Sequence, residues 1–304
     1  MSFANGLKTI VVATELNGRS EAALEYARKL AAAYGARVVL AHGIDPVEYA
    51  AVDAVPCQVL EILPEEARTA LENLSADLLR EGIHSHSEIR QGAVAQMLLD
   101  VARQYEAGLI VIGTKGMEGA GPVIVGAVAE QLVRLATCAV LAVAADWNAG
   151  AFRPTPGGPV LLAMERNETS AAAARTAYSL AQTFERPLLV LHARTAAEAA
   201  ASLDPCATTN LEEYGIVSSE KIPVHCMVKD GDPVQATALG IADHHPCILV
   251  VGVKRASGTP GPHGTAFALL ARSRVPVLCV PPEAAPAQDK PEACVCACTC
   301  SGER

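Results

Sequence analysis

A glycine-rich loop is the part of this sequence whose residue types and spacing best suit ligand binding. It begins with Gly113–Gly116, and after nine intervening residues Gly126–Val128 opens a predicted helix. Glycine permits positive φ angles and a close approach of the backbone to a ligand. The amides at the start of a helix can hold phosphate oxygens. The pattern therefore predicts a phosphate-binding loop, in which Lys115 either adds positive charge or is simply solvated.

A short acidic turn after the first predicted strand is the second candidate. The strand ends at Thr14, and Glu15 follows it. Ligands of open parallel sheets bind beyond the carboxyl ends of the strands, where the strand order reverses. We therefore expect the turn and the glycine loop to lie at one edge. Glu15 and its counterpart Glu165 either contact the ligand or place a favourable negative charge near a helix N-terminus, and the sequence leaves both interpretations open.

Motifs of the common hydrolases are missing from the sequence. It contains no G-x-S-x-G, no H-E-x-x-H and no G-x4-G-K-[ST]. We therefore predict no catalytic residues and a protein that is not an enzyme.

Four cysteines near the end of the sequence form an unusual cluster, Cys294, Cys296, Cys298 and Cys300. Their alternate spacing places all four thiols on one side if the segment is extended. Four thiolates suit a soft metal such as Zn²⁺ or Cu⁺, although C-x-C steps differ from the C-x2-C spacing of zinc knuckles. The cluster is either an opportunistic metal or redox site, or it has no function.

The elements that must position these residues occur twice. At a constant offset of 150 residues, Glu15 matches Glu165, Ser20 matches Ser170, and the match extends over 35 residues. An offset that stays constant through a strand, a turn, a helix and a second strand indicates a duplication. We predict a first domain over residues 1–147, a linker over 148–158, a second domain over 159–282 and a flexible tail over 283–304. The two domains are called the first and the second copy below.

Each copy alternates strands and helices. The predicted order in the first copy is strand 9–14, helix 19–34, strand 37–42, helix 64–81, strand 85–90, helix 93–105, strand 109–113, helix 128–136 and strand 139–143. Most strands are short continuous runs of Val, Ile and Leu, which is typical of parallel strands covered on both faces. Alternating βαβ units form a doubly wound sheet. The fold class is therefore α/β, with two tandem doubly wound parallel-sheet domains of the Rossmann-like kind.

Composition excludes several functions. The 304 residues carry a formal net charge of −9, and neutralising nucleic-acid phosphates needs a basic surface. The sequence contains no run of 18 uninterrupted apolar residues, so it offers no candidate membrane span. No signal peptide is visible either. We expect a cytoplasmic protein that binds neither nucleic acid nor a membrane.

Taken together, these features resemble the universal stress protein family in tandem form. The glycine loop matches that family's G-x2-G-x9-G-[ST] signature except at its last position, Ala127. The resemblance covers residues 7–145 and 158–282, and it implies an adenine-nucleotide α-hydrolase-like fold. It also implies binding of ATP or a related adenine nucleotide in some members. Carried over by position, the nucleotide-binding residues of the first copy are Thr14, Glu15, Gly113, Lys115, Gly116, Gly126, Ala127 and Val128.

Two departures from the family pattern affect the predicted affinity. Ala127 lacks the hydroxyl of Ser or Thr, and losing one neutral hydrogen bond of about 0.5–1.5 kcal/mol weakens binding roughly threefold to tenfold. In the second copy Arg255 replaces the second glycine, and eight residues separate it from Gly264. We therefore expect the first copy to be the stronger nucleotide site.

The resemblance further implies a pairing of the two copies through their closing strands, which makes an intramolecular pseudo-dimer, and it leaves open a homodimer of the whole chain. The favoured hypothesis is a nucleotide-responsive stress regulator in which ATP hydrolysis is at most slow and incidental. The alternative is a scaffold that acts through protein partners without nucleotide. A weaker alternative is a thiol or metal sensor that uses the cysteine tail.

Overall fold

The computed structural model describes residues 6–16, 20–44, 57–114, 126–144, 158–165, 170–201, 210–254, 264–273 and 275–282. Within α2, only the backbone is described for residues 57–64. The elements of the first copy are β1 (Thr9–Ala13), α1 (Glu21–Tyr34), β2 (Arg37–Ile44), α2 (Cys57–Arg80), β3 (Ser85–Gln91), α3 (Val94–Gln104), β4 (Leu109–Thr114), α4 (Ala127–Leu135) and β5 (Ala139–Ala144).

The second copy repeats this order with one short addition after its second strand. Its elements are β6 (Val160–Ala163), α5 (Ser170–Phe184), β7 (Leu188–Arg194), α6 (Ala196–Ala200), a 3-10 helix (Leu211–Tyr214), β8 (Val224–Asp230), α7 (Pro233–His244), β9 (Ile248–Gly252), α8 (Thr265–Arg272) and β10 (Val277–Val280).

The ten strands of the described residues form one sheet, in the order β3-β2-β1-β4-β5-β10-β9-β6-β7-β8. Every pairing within a copy is parallel. The chain therefore adopts the predicted α/β fold with tandem Rossmann-like domains. The strand order reverses between β1 and β4 in the first copy, and between β6 and β9 in the second. These two switch points are where the topology favours a ligand.

The two copies join through their closing strands. β5 and β10 pair antiparallel, with Leu141 opposite Leu278. Across the junction, the Tyr26 hydroxyl of α1 donates to the carbonyl oxygen of Cys247, the residue before β9, at 3.3 Å. The expected intramolecular pairing is confirmed, because the two five-stranded sheets continue into each other.

Both faces of the sheet are covered by helices, as the continuous apolar strands predict. One core lies under α1, α2 and α5, and the other lies under α3, α4, α7 and α8. Within β1, Val11 belongs to one core, while Ile10 and Val12 belong to the other, and all three are fully buried. Successive side chains of a strand point to opposite faces, so an uninterrupted apolar run fills two cores at once.

Helix α2 differs from its prediction. The predicted start of this helix is Pro64, and proline favours the first turn of a helix. The helix instead begins at Cys57, which leaves the proline inside it. Most other predicted boundaries of the first copy lie within two residues of the observed ones.

At the outer edge of the first copy, strand β3 carries charged side chains. Glu88 accepts hydrogen bonds from the Tyr105 hydroxyl at 2.6 Å and from Arg90 Nε at 3.1 Å. Partial burial by itself would raise the pKa of Glu88, but these hydrogen bonds and the charge of Arg90 outweigh it and leave that pKa below its usual value. Charged groups on an edge strand also discourage pairing with another sheet.

Helix α7 begins with a side-chain cap and a proline. Asp232 is the N-cap residue, and its carboxylate accepts from the amides of Val234 and Gln235. Pro233 occupies the first helical position, where its missing N–H has no cost.

None of the helices in the described ranges is both long and apolar enough to cross a bilayer. The predicted linker residues 148–157 and the tail residues 283–304, including the four cysteines, lie outside the described residues.

Candidate functional site

The turn after β1 is held by a small hydrogen-bond network. The Thr14 and Ser20 hydroxyls lie 3.2 Å apart, and the Glu15 amide donates to Ser20 Oγ at 3.3 Å. The Thr14 hydroxyl also accepts from the Leu16 amide at 3.2 Å. His42 Nδ1, at the end of β2, lies 2.8 Å from the Thr14 carbonyl oxygen. These contacts fix the position of the acidic turn at the carboxyl edge of the sheet.

Leu16 has an unusual backbone conformation within this turn. Its φ is +57°, in the left-handed region that is uncommon for residues other than glycine. Its side chain packs against the core under α1, which helps to hold the backbone in place. Backbone strain of this kind concentrates at functional sites.

The start of α4 faces the same switch point, because β4 lies beside β1 and precedes α4 in the chain. Gly126 is the N-cap residue, in an extended conformation with φ −65° and ψ 153°, and it makes no side-chain cap. The first amides of a helix have no intrahelical acceptor, and they carry the positive end of the helix dipole. Ala127 and Val128 thus contribute backbone amides that suit an anion.

The structure therefore brings the predicted residues of the turn and of the glycine loop to neighbouring strands. Thr14 and Glu15 follow β1, Gly113 lies near the end of β4, and β1 and β4 are directly paired. Lys115 and Gly116 lie outside the described residues, so their roles remain predictions.

Sequence reasoning missed the part that Ser20 plays in the turn. The sequence did contain a signal for this role, because Ser20 is matched by Ser170 at the offset of 150 residues. The two serines hold their turns differently, since the Ser170 hydroxyl donates to the Glu165 carbonyl oxygen, whereas Ser20 accepts from the Glu15 amide.

In the second copy, Glu165 links three elements at the equivalent edge. One carboxylate oxygen lies 3.0 Å from Lys254 Nζ, just after β9. The other accepts a long hydrogen bond of 3.5 Å from the Thr265 hydroxyl, at the start of α8. The side chain thus bridges the turn after β6, the loop after β9 and the following helix.

A cavity of about 390 Å³ opens beside this bridge. It lies at the carboxyl ends of β6, β7 and β9, at the switch point of the second copy. Its apolar part includes Leu162, Leu191 and Val251, and its polar part includes Glu165, His192, Thr195, Glu198, Thr237 and Thr265. The volume lies within the range of small-molecule sites.

Helix α6 closes one side of this cavity through Thr195 and Glu198. The Thr195 side chain accepts from the Glu198 amide, and the Glu198 carboxylate accepts from the Thr195 amide at 2.8 Å, which forms a capping box. The pattern of threonine followed three residues later by glutamate could have revealed this short helix from the sequence.

The predicted metal site of the tail falls on undescribed residues and stays a prediction. Among the residues that the structure does describe, no group of three or more His, Cys, Asp or Glu side chains is arranged to hold a metal ion.

Comparison with known proteins places these features in a family context. The model of the family described as "Universal stress protein family" matches residues 6–144 and 158–281, one match for each copy. A universal stress protein of Mycolicibacterium smegmatis is 31% identical over 189 residues, which span 60% of this chain and 63% of that protein. A universal stress protein of Methanocaldococcus jannaschii is 30% identical over 141 residues, which span 46% of this chain and 83% of its own length.

Solved structures agree on the fold. The crystal structure of a universal stress protein from Archaeoglobus fulgidus superposes with a TM-score of 0.72 at 16% identity, over 90% of this chain and 98% of that one. The structure of a putative universal stress protein from Pseudomonas aeruginosa superposes with a TM-score of 0.65 at 19% identity. The superposition covers 92% of this chain and 95% of that one. At these identities the similarity concerns the fold alone.

Proposed function

Because the chain belongs to the universal stress protein family, we propose that it is a ligand-controlled stress regulator whose first copy binds ATP or a related adenine nucleotide without efficient catalysis. This proposal rests on one observation: an acidic turn and a helix start lie at the same switch point of the sheet. The acidic turn Thr14–Leu16 follows β1, and the uncapped start of α4 follows the neighbouring strand β4.

The backbone geometry supports a phosphate at the start of α4. Gly126 gives the helix no side-chain acceptor, and a Cβ built on this glycine would meet no atom of the described residues within 4 Å. A phosphate oxygen could therefore approach the amides that follow it. The Ala127 side chain adds no hydroxyl, so we expect modest affinity from this part of the site.

The acidic turn supports recognition of the sugar. A carboxylate accepts hydrogen bonds, and ribose hydroxyls can donate them. The network of Thr14 and Ser20 fixes the backbone from which Glu15 projects. We assign Glu15 to the ribose side of the site and Lys115 to the phosphate side, the latter on the sequence pattern alone.

The test is titration calorimetry of the full chain with Mg-ATP, beside the variant Gly126→Asp. An aspartate at this N-cap position would accept from the amides of the first turn and would repel a phosphate from them. We expect saturable binding by the wild type and a loss of at least about tenfold in the variant, while the helix itself keeps its stability.

Ala93→Asp is the matched control. Ala93 is the exposed N-cap residue of α3 and makes no side-chain cap. The control adds the same charge and the same kind of cap, but to the helix that follows the edge strand β3. Equal loss of binding in both variants would contradict the assignment of the phosphate to α4. No binding by the wild type, together with no nucleotide released when the purified protein is denatured, would favour the scaffold alternative.

A further inference from the structure

A groove of about 170 Å³ lies between helices α7 and α8 of the second copy. The buried side chains of Val234, Ile241 and Leu269 line it, together with the exposed residues Ala238 and Arg272. Its lining comes from the two helices and the residue after α8, and it shares only Leu269 with the cavity at the switch point. The groove is therefore a separate feature of the helical layer.

A small residue of α7 leaves this space open. Helices α3 and α7 correspond residue by residue, since each follows a glycine with positive φ, Gly92 and Gly231, and then one N-cap residue. Counted from these glycines, Leu99 of α3 corresponds to Ala238 of α7. Leu99 is buried in the core of the first copy. Ala238 is exposed and lacks the atoms beyond Cβ that would fill the groove.

The charged side chain of the groove is Arg272, in the last turn of α8. Its counterpart in the first copy is Arg134, which pairs with Glu130 one turn back in α4, at 3.6 Å. Ala268 stands at the corresponding position of α8, so this helix offers Arg272 no carboxylate. None of the ion pairs of the described residues involves Arg272.

Two neighbouring polar groups are already engaged within the protein. The Ser273 hydroxyl donates to the Val275 carbonyl oxygen at 2.8 Å. On α7, the carboxylate of Asp243 lies 2.7 Å from Lys229 Nζ on β8. The guanidinium of Arg272 thus remains for a ligand, and guanidinium groups match a carboxylate through two parallel hydrogen bonds.

We propose that this groove binds a carboxylic acid with a short apolar chain. The carboxylate pairs with Arg272, and the chain covers Ile241 and Leu269 in the space beside Ala238. The volume of about 170 Å³ lies below the range of about 300–1,000 Å³ for drug-sized ligands, which favours an unbranched chain of a few carbons. The inference goes beyond the nucleotide site of the first copy and does not depend on it, because the groove uses residues of the second copy alone.

Methyl NMR of the full chain, labelled at Ile, Leu and Val, tests this inference by titration with three probes. Hexanoate is the expected ligand, 1-hexanol has the same chain without the carboxylate, and butanoate is two CH₂ groups shorter. The methyl signals of Ile241 report on the groove. Those of Leu162 and Leu191 report on the cavity at the switch point, which they line.

In the wild type, hexanoate should shift the Ile241 signals saturably. Its affinity should exceed that of butanoate about tenfold or more, since each buried CH₂ group contributes about fourfold. It should exceed that of 1-hexanol by about tenfold, because the alcohol cannot form a charge-assisted pair.

Three variants separate the charge from the shape of the groove. Arg272→Gln should remove the preference for hexanoate over 1-hexanol. Arg134→Gln makes the same change at the equivalent position of the first copy and should leave the titration unaltered. Ala238→Leu introduces the side chain of the first copy and should abolish the hexanoate shift of Ile241 in a folded protein.

Equal affinities for hexanoate and 1-hexanol in the wild type would overturn the inference, whatever the variants do. An unchanged hexanoate affinity in folded Arg272→Gln would overturn it as well. The same holds for hexanoate shifts confined to Leu162 and Leu191, and for the absence of any Ile241 shift at tens of millimolar hexanoate.

Discussion

Replacing Leu278 by alanine tests whether the two copies behave as one folding unit. Leu278 lies in β10, directly opposite Leu141 in β5, at the junction of the two sheets. The side chains are 1% and 0% exposed, and both belong to the core under α1, α2 and α5. The substitution therefore opens a cavity where the first copy meets the second.

The expected loss in the free energy of unfolding follows from this burial. Leucine-to-alanine changes in a core cost about 2–5 kcal/mol, and the cost is higher where the surroundings cannot collapse into the space. The position lies in the middle of a sheet that is covered on both faces, so we expect a loss of about 3 kcal/mol or more in the free energy of unfolding. Leu239→Ala is the control from the same copy, because its side chain is 53% exposed and its loss should stay near 0.5 kcal/mol.

Urea denaturation followed by circular dichroism gives the overall change, and native-state hydrogen exchange gives its distribution. If the continuous sheet couples the copies, the amides of β4 and β9 should lose protection by similar amounts. A double-mutant cycle with Leu141→Ala should show a coupling of about 0.5–3 kcal/mol, as is found for residues in contact. Lost protection in β9 with wild-type protection in β4 would refute the coupling and show that the copies unfold independently.

Two further predictions concern titratable groups. The folded-state pKa of Glu88 is lowered, so its stabilising contribution is present above the unfolded-state pKa of about 4.3 and is lost as the pH falls through the folded-state value. Glu88→Gln should therefore destabilise the protein at pH 7 in urea denaturation, and this effect should shrink steadily as the pH is lowered below the unfolded-state pKa, so an effect that does not change with pH would contradict the assignment. Burial raises the pKa of the Cys138 thiol to about 11 and that of Cys279 to about 12, so iodoacetamide at pH 7.5 should modify neither cysteine until the chain is unfolded. Mass spectrometry checks this, and rapid labelling of the native protein would show that these thiols are accessible.

The sequence predicts the strands best because burial constrains them most. β1 and β4 are continuous apolar runs that must fill two cores, and few other structures could accommodate them. The repeat at a constant offset then extends the same interpretation to the second copy. Helix α2 was predicted less well, because Pro64 is a local signal for a helix start and the backbone of this helix continues through it.

The site is only partly predictable for a different reason. The positions of Glu15 and Glu165 follow from topology, since both come directly after the first strand of a copy. The contacts of Glu165 with Lys254 and Thr265 depend on side-chain conformations across three separate elements. No spacing in the sequence encodes such contacts. Nor does the sequence show that Ser20 accepts a hydrogen bond from its turn whereas Ser170 donates one.

Duplication explains why the two copies agree in their sheets and differ at their ligand edges. A substitution in β1 or β6 would disturb both cores, so the fold keeps these strands alike. The carboxyl edge is less constrained, because side chains such as Glu15 and Glu165 lie outside both cores. Ala127 and Thr265 occupy equivalent helix starts, yet only the threonine can donate to the neighbouring glutamate. The antiparallel pairing of β5 with β10 joins the two copies in one sheet, so the copies share a scaffold while the side chains at their carboxyl edges differ.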